Sequence, residues 1–159
     1  MADRVYVETT VVSYLTAWPS RDVVMAGHQQ VTRDSWDSER QHFDLCISQL
    51  VVNEASAGDA DAARERLSVL QSMSVLETTE AALDLAKELV RSGALPEKAA
   101  GDALHIAVAA AHSVPFLLTW NCRHLANATM RPMIESVCTA KGFKTPIICT
   151  PEELSESKS

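Results

Sequence analysis

The most informative segment of the chain reads Gly101-Asp102-Ala103-Leu104-His105-Ile106-Ala107-Val108-Ala109-Ala110-Ala111-His112. Its apolar residues cover nearly every side of a helix, with Leu104, Ala107, Val108 and Ala111 along one face. A helix of this kind is buried on several sides. The segment is entered through Pro96, which is tolerated at a helix start. Its one carboxylate, Asp102, therefore lies about one turn into a buried helix.

A short apolar run follows this helix, from Val114 to Thr119, and is typical of a buried strand. It leads directly into the polar cluster Trp120 to His124. We therefore expect a central helix–strand pair with an acid at the start of the helix. A polar group lies at the carboxyl end of the strand.

Composition restricts the class of protein. The chain has 159 residues, of which 47% are hydrophobic and 22% charged, as in an ordinary globular domain. We expect a single domain over residues 1–154 and a disordered tail over residues 155–159. No apolar run approaches the roughly 20 residues of a membrane span, and no signal-peptide pattern opens the chain. These features predict a cytoplasmic protein that does not enter a membrane.

Charge and cysteine usage narrow the class further. The formal net charge of −7 argues against non-specific coating of nucleic acid, but it suits a basic protein partner. The cysteines are scattered without a Cys-x-x-C pair, at Cys46, Cys122, Cys138 and Cys149. This spacing predicts free thiols rather than a disulfide framework or a zinc site.

Strand and helix patterns alternate along the chain. The expected strands are Val5 to Val7, Phe43 to Ile47, Ser74 to Leu76, Val114 to Thr119 and Pro146 to Thr150. The expected helix caps are Thr9 or Thr10, Ser20 or Asp22, Ser48, Asp59 or Asp61, and Thr78 or Thr79. Such alternation predicts an α/β fold with a mainly parallel sheet covered on both faces.

In an open parallel sheet, ligands bind beyond the carboxyl ends of the strands. Glu8 follows the first expected strand directly, and Glu54 lies in the helix after the second. Asn121 follows the strand that ends at Thr119, and Asp102 begins the helix that leads to that strand. We therefore expect these four side chains to converge at one edge of the sheet.

Each acid alone is more simply a helix cap or a solvated turn residue, but a cluster of three is costly. Two carboxylates about 6 Å apart repel by roughly 3 kcal/mol at an effective dielectric constant of about 20. Three such pairs would cost about 8 kcal/mol, comparable to the stability of a whole domain. Protons or a cation must therefore offset the charge. Oxygen ligands without a Cys or His cluster favour Mg²⁺ or Mn²⁺, which suits phosphoryl chemistry.

Four segments of the sequence resemble the signature segments of PIN-domain proteins, and of VapC-type toxins among them. They are Val5 to Leu15, Val51 to Ala55, Asp102 to Ala107, and Leu117 to Asn121. The resemblance implies a three-layer α/β/α sandwich and metal-dependent hydrolysis of RNA phosphodiester bonds. By matching position it also implies that Glu8, Glu54 and Asp102 bind Mg²⁺ or Mn²⁺ and that Asn121 completes the catalytic set.

The resemblance carries expectations about substrate and partners as well. Thr9, Arg123 and His124 would contact the RNA, with Arg21 a weaker candidate. The protein would be the toxin of a type II toxin–antitoxin pair, a homodimer whose active site is blocked by a cognate antitoxin.

Two positions depart from the family pattern. The first acid is usually Asp and here is Glu8, and the fourth position is often Asp and here is Asn121. The lower charge leaves open an alternative in which a catalytically weak or inactive PIN-fold module acts by binding antitoxin or RNA. A nucleotide-binding domain is disfavoured, because no Gly-rich loop follows a strand. Within the site, we expect His105 to hydrogen-bond Asp102, three residues before it, and so to orient that acid.

Overall fold

The computed structural model describes residues 2–155. The strands are β1 (Arg4–Val7), β2 (Asp44–Ser48), β3 (Ser74–Leu76), β4 (Phe116–Leu118) and β5 (Ile147–Cys149). The helices are α1 (Thr9–Thr16), α2 (Val23–His42), α3 (Gln49–Ala55), α4 (Ala60–Leu70), α5 (Glu80–Arg91), α6 (Ala100–Ala111), α7 (Arg131–Ala140) and α8 (Pro151–Ser155). A short 3₁₀ turn, Glu97–Ala99, leads into α6. Every strand expected from the sequence is present.

The strands form one parallel sheet in the order β3-β2-β1-β4-β5. The order changes direction between β1 and β4, where Val7 lies opposite Leu118. The backbone N–H of Glu8 extends this pairing by donating to the carbonyl of Leu118, at 3.0 Å. In sheets of this type the binding crevice lies beyond the carboxyl ends of the strands, at the point of reversal. Glu8 therefore stands at the mouth of that crevice.

The helices form two packed groups, as a three-layer α/β/α sandwich requires. Helices α1, α2, α3 and α4 pack on one another, whereas α5 packs on α6 and α7. Parallel crossovers are right-handed, so the reversal of strand order places the two groups on opposite faces of the sheet. The expected fold class is confirmed.

The core is built around β1 and α6. Val5, Tyr6 and Val7 are fully buried in the middle strand. In α6, Ala103 and every residue from His105 to Ala110 are buried. The sequence-based prediction of a buried α6 is thus confirmed. Because both elements are enclosed, any polar side chain that they carry must find a partner inside the protein.

Helix caps agree with expectation at some positions and differ at others. Asp22, Asp59 and Thr79 cap α2, α4 and α5 as predicted. The cap of α1, however, is Glu8 itself rather than Thr9 or Thr10, because its carboxylate accepts the N–H of Thr10. Ser48 precedes α3 without a side-chain cap bond, and its hydroxyl instead contacts Tyr6.

The tail expected over residues 155–159 falls almost entirely beyond the described part of the chain, since Ser155 closes α8. Between residues 2 and 155, no helix combines the length and apolar character needed to cross a membrane.

Candidate metal centre

Glu8 is held at the carboxyl end of β1 by three donors. Its Oε1 accepts hydrogen bonds from the hydroxyls of Thr10, at 2.5 Å, and Thr119, at 2.6 Å. Its Oε2 accepts the backbone N–H of Thr10 at 3.2 Å. The residue is only 4% exposed. Burial raises the pKa of Glu8 above its ordinary value, although the charge of His105 and these hydrogen bonds act in the opposite direction.

Glu54 reaches the same place from α3. Its Oε1 accepts the hydroxyl of Thr9 at 2.5 Å and lies 2.9 Å from Nε2 of His105. Among residues 2–155, its Oε2 receives no hydrogen bond, and it points towards Gly101 at the start of α6. Burial acts to raise the pKa of Glu54, but the hydrogen bonds from His105 and Thr9 and the charge of His105 outweigh it and lower the pKa.

His105 joins the two acids from the buried side of α6. One ligand atom from each of Glu8, Glu54 and His105 lies within 4.8 Å of the others, close enough to hold a metal ion. Its other ring nitrogen, Nδ1, lies 2.6 Å from the hydroxyl of Tyr6. The expected hydrogen bond to Asp102 is therefore wrong, because His105 faces the core side of the helix, where Glu54 and Tyr6 stand.

Asp102 occupies the next position at the rim of the same crevice. It follows Gly101, where an added β-carbon would lie 3.6 Å from Oε2 of Glu54, and its own Oδ2 lies 3.1 Å from Nδ1 of His124. In the described part of the chain, Asp102 does not share the close cluster of Glu8, Glu54 and His105. It lies in the first turn of α6, one residue after the Gly101 that faces Glu54.

Asn121 shapes the loop that follows β4. Its Oδ1 accepts the backbone N–H groups of Arg123, at 3.2 Å, and His124, at 3.0 Å. This turn places His124 against Asp102 and leaves Arg123 exposed beside the crevice. In this conformation the amide oxygen of Asn121 is used within the loop, so its link to the acids runs through His124.

Thr9, which donates to Glu54, is among the expected site residues, but the hydroxyls of Thr10, Thr119 and Ser48 are not. Thr10 and Thr119 donate to Glu8. Ser48 contacts Tyr6, and Tyr6 in turn contacts His105. The sequence does contain a sign of these hydroxyl contacts, because a Ser or Thr occurs at or just after the carboxyl end of β1, β2 and β4. The expected role of Thr10 and Ser48 is instead helix capping, which is the commoner use of such hydroxyls.

The residues present fit a hard divalent cation. Two carboxylates face each other inside a crevice, and their repulsion would be relieved by a positive ion. Oε2 of Glu54, which accepts no hydrogen bond among residues 2–155, and the carboxylate of Asp102 in the first turn of α6 are the kind of oxygen ligand that such ions prefer. The structure thus contains an acidic cluster able to hold a divalent metal.

The comparisons with known proteins agree with this fold. The family model for the PIN domain matches residues 5–126. No curated protein sequence matches the chain. Among solved structures, the chain is similar to VapBC2 from Rickettsia felis, which was crystallised with a DNA fragment from the VapBC2 promoter. The sequence identity is 13% and the TM-score is 0.59, and the match covers 92% of this chain and 98% of that chain.

A second similar structure is VapC20 of Mycobacterium tuberculosis, a toxin that cleaves the sarcin–ricin loop. It shares 16% identity, with a TM-score of 0.59 and coverage of 89% of this chain and 99% of that chain. At these identities the likeness concerns the fold. The fold and the site define a class of α/β/α proteins that gather acids where the strand order of a parallel sheet reverses. Within that class, the family match over most of its length shows that the chain belongs to the PIN domain family.

Proposed function

We propose that the protein is a Mg²⁺- or Mn²⁺-dependent endoribonuclease and the toxin of a type II toxin–antitoxin pair. The observation that carries the proposal is the meeting of Glu8 and Glu54, from different crossovers, at the reversal point of the sheet. The two similar toxin structures support this assignment.

In the proposed reaction, Glu8, Glu54 and Asp102 hold the ion. A divalent ion held there would lower the pKa of a water, so that hydroxide is available for attack at neutral pH, and would offset charge on the phosphoryl group. Arg123, exposed beside the crevice, and His124 contact the RNA phosphates, and Asn121 fixes the turn that carries both. Thr9, whose hydroxyl is bonded to Glu54, orients that acid and lines the substrate path.

Partners follow from the same comparison. One of the similar structures is a VapBC complex, so we propose a cognate antitoxin that covers the acidic crevice. The net charge of −7 favours a basic partner. We further propose that the protein is a cytoplasmic homodimer.

The test is RNA cleavage by the purified protein with added Mn²⁺ or Mg²⁺. Substrates are labelled single-stranded and stem–loop RNAs of random sequence, incubated with and without excess EDTA. We expect cleavage that EDTA abolishes and that Asp102→Asn reduces by at least about a hundredfold. Asp84→Asn, an exposed acid on α5, is the matched control and should cleave like the wild type.

Two results would contradict the nuclease assignment. Cleavage that survives both EDTA and Asp102→Asn would show contamination or another mechanism. An absence of cleavage with either metal, from a protein that still binds antitoxin, would favour the inactive PIN-fold module.

A further inference from the structure

A chain of buried polar side chains runs from the core to Glu54. Ser48 Oγ lies 2.7 Å from the Tyr6 hydroxyl, which lies 2.6 Å from Nδ1 of His105. Nε2 of His105 then lies 2.9 Å from Oε1 of Glu54. These residues come from the ends of β1 and β2 and from α6, so three elements meet in this chain. We refer to Ser48, Tyr6 and His105 as the buried relay.

Glu54, at the end of the relay, sets the direction of its hydrogen bond with His105. An ionised Glu54 can only accept, so Nε2–H of His105 donates to it. The Tyr6 hydroxyl bridges the other ring nitrogen of His105, Nδ1, and the Ser48 hydroxyl. Each polar group of the relay thus has a hydrogen-bond partner inside the protein. Burial keeps the pKa of the Tyr6 phenol far above its usual range, so the hydroxyl retains its proton.

The relay determines which oxygen of Glu54 is available. Oε1 receives donors from both His105 and Thr9, whereas Oε2 receives none among residues 2–155 and faces the start of α6. Two donors on one oxygen fix the rotation of the carboxyl group, leaving the other oxygen towards the crevice. Groups that hold a ligand in this way commonly change metal affinity by 10- to 100-fold when removed.

We infer that His105 is a positioning residue, oriented by Tyr6 and Ser48, that presents Oε2 of Glu54 to the metal rather than binding the metal itself. His105 is fully buried, and both of its ring nitrogens already lie within bonding distance of side chains. The edge-on contact of the Tyr6 and His105 rings, with centroids 5.6 Å apart, restricts rotation of the imidazole. This inference rests on the proposed metal centre.

The test measures Mn²⁺ affinity by electron paramagnetic resonance of the free ion, without RNA. We expect Tyr6→Phe, which keeps the ring and removes the hydroxyl, to weaken Mn²⁺ binding by about tenfold. The matched control is Tyr14→Phe, since Tyr14 is the other tyrosine of the chain and packs against His28 and Trp120 instead. Its affinity should equal that of the wild type.

Two further variants separate positioning from general structural damage. In a His105→Gln background, Tyr6→Phe should cause no additional loss, because its effect passes through His105. Ser48→Ala should weaken binding in the same direction but by less. Should Tyr6→Phe fail to give the near-ultraviolet circular dichroism of a folded protein, Ser48→Ala carries the test.

Pulsed electron paramagnetic resonance of bound Mn²⁺ provides the direct readout. The positioning role predicts no nitrogen coordinated to the ion, whereas a strong nitrogen coupling would make His105 a ligand and overturn the inference. Equal affinities of wild type, Tyr6→Phe and Ser48→Ala would also overturn it. A wild type that binds no Mn²⁺ would instead refute the proposed metal centre.

Discussion

Glu8 shows how one residue can serve as helix cap and candidate ligand together. Its side chain is one methylene longer than the family's usual Asp, which allows it to reach the N–H of Thr10 and both threonine hydroxyls. Burial raises the pKa of this carboxyl, and these donors act in the opposite direction. The sequence predicted the position of this acid but not its hydrogen bond from Thr119, because a contact between residues 111 positions apart leaves no local pattern.

The hydroxyl of Thr119 should be important for stability at neutral pH. Thr119→Val keeps the shape of this fully buried side chain but leaves Glu8 with one donor fewer and the N–H of Asn121 without its partner. We expect the free energy of unfolding in urea to fall by about 1–3 kcal/mol. Thr119→Ser, which keeps the hydroxyl, should lose less. Equal losses would show that the hydroxyl contributes nothing.

Thiol reactivity should distinguish the four cysteines. Cys122 is exposed, whereas burial raises the pKa of Cys46 to about 11 and that of Cys149 to about 12. Burial also raises the pKa of Cys138. At about pH 8 the native protein should show one rapidly reacting thiol towards a disulfide reagent, and none in Cys122→Ser. More than one rapid thiol would contradict the burial of the other three.

At the scale of elements, periodicity and caps predicted the order of helices and strands, and α6 most clearly. The direction of His105 was missed for a geometric reason. Residues three apart on a helix lie near each other, but a fully buried imidazole turns towards the partners that the core supplies, here Tyr6 and Glu54. Those partners come from other elements, and only tertiary packing brings them within reach.

The start of α5 offers a matched pair, because the sequence alone left Thr78 and Thr79 as equal candidates for its cap. In the structure the Thr79 hydroxyl accepts the N–H of Ala82. We expect Thr79→Ala to lower the free energy of unfolding by about 1 kcal/mol and Thr78→Ala to have a smaller effect. Urea denaturation of both variants checks this, and the reverse ranking would place the cap one residue earlier.

At the scale of the whole molecule, the buried thiols and Tyr6 link stability to pH in the alkaline range. Burial raises the pKa of each group, so the folded state keeps protons that the unfolded chain has released. Their contribution is intact below the unfolded thiol pKa of about 9 and is lost as pH rises towards the folded values. We therefore expect the free energy of unfolding to fall steadily above about pH 9.

Removing one of these groups should flatten that dependence. Cys149→Ala should reduce the alkaline slope, whereas Cys122→Ser, at an exposed position, should leave it unchanged. Measurements of urea unfolding across the alkaline range provide the test. A stability that rises with pH there would contradict the burial of these groups.

The sheet order explains why this fold gathers its acids. The strand order reverses between β1 and β4, and a crevice opens there at the carboxyl ends of the strands. The segments that connect the neighbouring strands to the next helices each contribute a polar residue to this crevice. Fold class and the rough location of the site could be predicted because both depend on alternating patterns. The pairing of Asp102 with His124 could not, since it depends on how the loop after β4 turns around Asn121.

The most direct measurement is a crystal structure of the protein grown with Mn²⁺, with anomalous diffraction data collected to locate the ion. We predict an anomalous peak in the crevice, coordinated by carboxylate oxygens of Glu8, Glu54 and Asp102, with His105 still bonded to Glu54. A Mn²⁺ site located elsewhere, or a crevice that stays empty at millimolar Mn²⁺, would contradict the account.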